Sequence, residues 1–293
     1  MRLACSAGNP PAPNAPVAAD DDMQDTMKLS LGPLPPCWPR ERTHAFYREA
    51  ADWPVEIIHL GEAAPGNGGE PPVVDWIELA AELADKGKQV VLSALALPAA
   101  ASASGVLERL VAERRGLIEA NDLAAVQLCR ERGVPFVAGP ALKIRSHAEL
   151  RRLMDDGLVR WVPGVEQGRE PLRALRDAVL AAGLPMPELE VIAYGRLPPI
   201  AREGSSSPRL DGIRPHGGEI VDLGPELPQL RELGVDVLRL CPRAEGMAAI
   251  VAHYHLARRS PQPPPRIAAR NSCWHGEAGM RTADASRRLS QGC

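Results

Sequence analysis

Short strand-like runs and segments of helical period alternate along this chain, and the helices return to the next strand by short links. "KLSLGPL" (28–34) precedes "RERTHAFYREAADW", "VEIIHLG" (55–61) precedes "VVDWIELAAELADKG", and "KQVVLSALAL" (88–97) precedes "SGVLERLVAERRG". "LIEAND" (117–122), "VPFVAG" (134–139), "VRWVPGVE" (159–166), "ELEVIAYG" (188–195), "GEIVDLG" (218–224) and "VDVLRLCP" (235–242) continue the series. Gly87, Gly116, Gly133, Gly157, Gly183 and Gly234 stand where helices should stop, because glycine accepts a left-handed end at little cost. Repeated strand–helix units with short returns argue for parallel strands. Seven to nine units in about 260 residues predict an α/β fold, a (β/α)8-like TIM barrel, whole, incomplete or modified. A doubly wound sheet is the alternative, but no GxGxxG follows the first strand and no phosphate loop is present.

The fold is expected to begin at Met27. Residues 1–26, rich in Pro, Ala and Asp, read as a disordered extension or a misassigned start, and they lack the apolar stretch of a signal peptide. The barrel is expected over 27–258, with a Pro-rich linker and C-terminal segment over 259–293. Hydrophobic residues make up 45% of the 293 residues but aromatics only 3%, so Ala, Val, Leu and Ile must build the core. A net charge of −3 with mixed signs gives no basic face for nucleic acid. No apolar run approaches the ~20 residues of a membrane span. The six cysteines are scattered, with no CxxC pair; no disulfide framework is expected, and the expected compartment is the cytoplasm.

Barrel chemistry sits at the C-terminal ends of strands. Polar residues there are Glu62, Ser93, Glu119, Asn121, Asp122, Glu166, Tyr194, Arg196 and Arg239. Glu62 and Glu166 are candidates for an acid/base pair, or for holding a cation or a polar substrate. Asn121 or Asp122 can instead cap the following helix. His253 and His255, two apart on a helix, diverge and cannot chelate one ion. His275 lies in a Gly-flanked turn. Ser205–Ser207 lack a nucleophile elbow. Cys129 reads as a packed helix residue, and Cys241 would need Arg239 or Arg243 to become a thiolate. No metal site is expected from these residues.

"MKLSLGPL", "CWPRE", "IIHLGEA", "DWIELAAELADKGKQVVLSALAL", "LIEANDL", "PFVAGPALK", "AYGRLP", "DVLRLCPR" and "WHGEAGM", taken in order from Met27 to about Met280, resemble the UbiV branch of the collagenase-like peptidase family. The resemblance implies a modified barrel that acts with a UbiU-like partner, as a heterodimer, in oxygen-independent hydroxylation of a ubiquinone precursor. It does not imply proteolysis. It also implies a four-iron–four-sulfur cluster (4Fe-4S) on four cysteines. The first such thiol is expected after "LGEA", where Ala64 and Pro65 stand, and the others in the loop after "YGRLP", which here reads "PIAREGSSSPRLDG". Such a cluster needs thiolates, so the resemblance predicts a relative that has lost its cluster. Lys143, Ile144 and Arg145 also depart from the family pattern, while Glu166 is kept. The retained polar set is Glu62, Glu119, Asn121, Asp122, Glu166, Tyr194 and Arg196. Glu62 and Glu166 are expected to orient a polar group, and Arg196 to hold an anion such as a carboxylate. The rival readings are a catalytically inert barrel that stabilises a partner, and a peptidase-family hydrolase.

Overall fold

The structure, a computed structural model, describes residues 27–35, 38–61, 73–93, 116–164, 166–196, 220–268 and 274–275. Nine strands are seen: β1 (Lys28–Leu31), β2 (Ile57–Leu60), β3 (Gln89–Ser93), β4 (Leu117–Ala120), β5 (Phe136–Ala138), β6 (Leu158–Trp161), β7 (Glu188–Arg196), β8 (Ile220–Asp222) and β9 (Val237–Leu240). The helices are α1 (Arg40–Ala50), α2 (Val73–Asp85), α3 (Leu123–Arg132), α4 (His147–Asp155), α5 (Arg169–Ala181), α6 (Leu227–Glu232) and α7 (Met247–Ala257). The helix expected at 104–115 lies outside the described residues.

Strands β1 to β7 pair in order, β9 pairs with both β7 and β1, and all these pairings are parallel. The ring is therefore a closed eight-stranded TIM barrel. One unit departs from the all-parallel expectation. β8 runs antiparallel to the far end of β7, Tyr194 facing Asp222, and stands outside the ring. That is the modification to the barrel.

Alternation along each strand sorts residues to two sides. Leu29, Leu31, Ile58, Leu60, Leu238 and Leu240 join the helices' apolar faces in an outer core. Ile57, Val91, Val137, Val162 and Val237 form a separate cluster inside the barrel. Five of the six predicted glycine stops have left-handed φ; Gly116 does not. Its need is space, since a Cβ there would stand 2.6 Å from the Val90 carbonyl oxygen. Two helix starts are capped by side chains, that of α3 at Asp122 as the sequence suggests. Asp122 Oδ1 accepts from Ala125 N at 2.8 Å, and Ser146 and Glu149 form a capping box. Among the described residues, no helix is long and apolar enough to cross a membrane.

Beyond α7 the chain does not leave the barrel at once. Asp222 accepts from Ile267 N at 2.6 Å and Ala268 N at 3.3 Å. Arg266 bonds the Asp222 carbonyl and, at 2.5 Å, Glu226. His275 Nε2 lies 3.1 Å from Glu226, and Arg169 N donates to the Trp274 carbonyl.

Candidate functional site at the barrel axis and mouth

Strands buried on both sides are expected to carry apolar residues throughout. Here five carry an ionisable residue facing inward, in step with the inner valines: His59 after Ile57, Glu119 after Leu117, Arg160 before Val162, Glu190 before Ile192 and Arg239 after Val237. Parity brings them to one axis.

At the centre lies Arg239. Its Nε donates to Glu190 Oε1 at 2.8 Å and its Nη2 to Glu119 Oε2 at 2.6 Å. His59 sits between the same carboxylates. Its Nε2 is 3.2 Å from Glu190 Oε1, and its Nδ1 is 3.1 Å from Glu119 Oε2, close but not aligned for a hydrogen bond. Ser30 Oγ donates to Glu190 Oε1 at 2.5 Å, and Asn121 Nδ2 to Glu119 Oε1 at 2.9 Å. Toward the other end, Arg160 holds Glu188 at 2.6 Å and Gln89 at 2.7 Å, and Lys28 reaches Glu188 at 2.8 Å. Three carboxylates thus face three cations along the axis.

Burial alone would raise the Glu119 carboxyl. The Arg239 charge and the His59 contact outweigh it and hold the group at about 2. Glu190 is likewise held well below the usual carboxylate range against its burial, by Arg239 and His59. Arg239 is raised despite its own burial, by both carboxylates. These are locked ions. A carboxylate clamped in this way is a poor proton acceptor at neutral pH.

The layer above, at the mouth, is small. Two residues beyond Ser30, His59, Val91, Glu119, Val137, Val162 and Arg239 stand Gly32, Gly61, Ser93, Asn121, Gly139, Gly164 and Cys241. Neighbouring side chains lie down over several of these glycines. A Cβ at Gly139 would be 2.1 Å from Asn121 Oδ1, one at Gly164 2.7 Å from Glu166 Oε2, and one at Gly32 3.3 Å from Arg239 Cδ. Ser93 is buried, and its hydroxyl has no hydrogen-bond partner among the described residues.

The predicted residues fall in different places. Glu119 and Asn121 join the axis cluster. Asp122 is the cap of α3, as its position before "LAAVQL" allows. Glu166 sits at the rim, 3.6 Å from Arg145 Nη2. Tyr194 turns away from the axis, because the register slips between Ile192 and Tyr194; its ring packs edge-on against Tyr254 of α7. Arg196 is exposed at the end of β7. Glu62 lies outside the described residues, as do Ser205–Ser207. The sequence reading passed over His59, Arg160 and Glu190. A charged letter at inward parity in "IIHL", "LVRW" and "LEV" was the available signal.

The donor set can be compared with the four-thiolate cluster that the resemblance implies. Two thiols are described. Cys129 is buried on the inner face of α3, in the outer core, and Cys241 ends β9 at the mouth. Burial pushes each up to about 11, which keeps both protonated. They lie in separate layers and do not fit a cluster site. Cys5, Cys37, Cys273 and Cys293 lie outside the described residues. Among the described residues no group of three or more His, Cys, Asp or Glu is arranged to hold a metal ion. His255 bonds Arg258 at 3.1 Å, and His253 stacks on Tyr254.

No protein-family model matches the sequence. Among solved structures the chain is similar to a U32 peptidase, at 12% identity and a TM-score of 0.47, covering 80% of this chain and 98% of that one. It is similar to ligand-free tryptophan synthase from M. tuberculosis at 13% and 0.47, covering 80% and 89%. An uncharacterized B. cereus protein matches at 10% and 0.48, covering 81% and 66%. The protein is a TIM barrel with a distant structural likeness to a U32 peptidase.

Proposed function

We propose that this chain is a UbiV-like accessory barrel of oxygen-independent ubiquinone biosynthesis, acting beside a UbiU-like partner in ring hydroxylation without a cluster of its own. The ordered run of motifs from Met27 onward supports the branch. One structural observation carries the role: Glu119 and Glu190 are each ion-paired to Arg239, so among the described residues the axis offers acid–base chemistry no carboxylate without a cation. Redox work falls to the partner in this reading. In this reading Glu166 at the rim and Asn121 at the end of β4 are the residues assigned to orient a ring precursor.

The same self-satisfied axis favours a second reading, an inert barrel that only stabilises its partner. One experiment separates them. The gene is deleted, and anaerobic quinone is measured after complementation with the wild type or with Glu166→Gln plus Asn121→Leu. The accessory reading expects quinone loss on deletion, poor rescue by the double variant, and a stable complex with the UbiU-like protein from both forms. Full rescue by the double variant supports the inert partner. Quinone unchanged by deletion, or no complex, overturns both. Iron content of the anaerobically purified chain checks the cofactor: the proposal expects none, and about four irons per chain would overturn that part.

A further inference from the structure

We propose that the barrel axis binds one internal water as a fixed part of its structure, which accepts from Arg160 Nη1 and donates to Glu190 Oε2. The site is independent of the functional reading above, because it lies among the strands and not at their ends.

The axis ions form two groups. Arg239, Glu119, Glu190 and His59 make the upper one, and Arg160, Glu188, Gln89 and Lys28 the lower. The groups face each other across 3.7 Å, between Arg160 Nη1 and Glu190 Oε2. That is too long for a hydrogen bond. The two side chains are 1% and 0% exposed, and neither atom has a hydrogen-bond partner among the described residues. Two ionic atoms of opposite sign are thus buried, near each other and unsatisfied. Native interiors rarely leave such a cost standing.

The anchors of both side chains keep them apart. Arg160 grips Glu188 through Nε at 2.9 Å and Nη2 at 2.6 Å, and Nη2 also reaches Gln89 at 2.7 Å. Glu190 Oε1 accepts from Ser30 Oγ at 2.5 Å and from Arg239 Nε at 2.8 Å. Closing the gap directly would trade several short bonds for one. A water about 2.8 Å from each atom spans it with those bonds intact. The chemistry selects water as well, since the occupant must accept from a guanidinium N–H and donate to a carboxylate. An anion there would meet Glu190, and a cation would meet Arg160. The inner valines share this interior, so the occupant is small. With the water in place, one chain of polar contacts runs from Lys28 at the start of β1 to Asn121 beyond β4.

The test is a high-resolution crystal structure of the full chain, joined with oxygen-17 relaxation dispersion in solution. The crystal is expected to show one ordered oxygen within hydrogen-bond distance of both atoms. The dispersion is expected to report long-lived internal water, and Arg160→Met should lower its count by one. The wild-type crystal decides the matter alone if that variant does not fold. Any of four results overturns the proposal: Nη1 and Oε2 in direct hydrogen-bond contact, an ion at the bridging point, no ordered density there, or an unchanged water count in folded Arg160→Met.

Discussion

Arg239 is the residue on which the barrel interior turns. Replacing it with Met keeps the stem over Gly32 but leaves Glu119 and Glu190 buried without the guanidinium that bridges them. Unpairing buried ions is strongly destabilising, so Arg239→Met should lose about 3–5 kcal/mol in urea unfolding. Glu119 makes this interaction pH-dependent. Its folded value is near 2, below the ~4.3 of a free carboxyl. The stabilisation is therefore complete above about pH 4.3 and is lost as pH falls through 2, a term of about 3 kcal/mol. Glu119→Gln should flatten the acid limb of stability against pH in that window. Gly139 gives a steric counterpart. Gly139→Ala would drive a Cβ to 2.1 Å from Asn121 Oδ1 and should cost about 1–3 kcal/mol, read as a lower urea midpoint. At this scale the sequence was half legible. Glu119, Asn121 and Arg239 were marked by strand-end position. His59, Glu190 and Arg160 stand inside apolar strands, where only inward parity identifies them, and parity needs the strand bounds and the β6 bulge to be known.

Elements were more legible than residues wherever the glycine stops and caps were intact. Two were not. β7 reads as one continuous strand, yet its register slips after Ile192, which sends Tyr194 outward and lets β8 return antiparallel. Nothing in "AYGR" announces that slip except Gly195, whose φ is +133°. The Pro-rich stretch after α7 reads as a linker, and yet it is bound. Prolines have no N–H to give, so the attachment falls on the few donors that follow them: the Arg266 guanidinium and the Ile267 and Ala268 amides. All converge on the 222–226 segment. Asp222 also accepts from Tyr254 at 2.6 Å and Gly224 N at 3.0 Å. Asp222→Ala should therefore cost about 3 kcal/mol, several buried donors losing their acceptor together. Hydrogen exchange at Ile267 and Ala268 should rise in step, and protected amides there would show that the segment is held by other contacts.

At the scale of the whole molecule, the repeated strand–helix rhythm carried the fold class. The closing of the ring could not be read from it, because β1 and β9 meet across the full length of the barrel. They pair in register from Lys28 with Val237 to Leu31 with Leu240, and Arg258 reaches back to the Met27 carbonyl at 2.9 Å. During synthesis, then, the first strand of the ring waits for the last. Until residue 240 has emerged, β1 and β7 each present an open edge, and long-range pairings of this kind form late. A polypeptide stopped after Gly234 should stay sensitive to pulse proteolysis, whereas one stopped after Ala268 should resist it. The cell would meet this protein either whole or as an aggregation-prone fragment, and a premature stop anywhere before β9 would leave the barrel open.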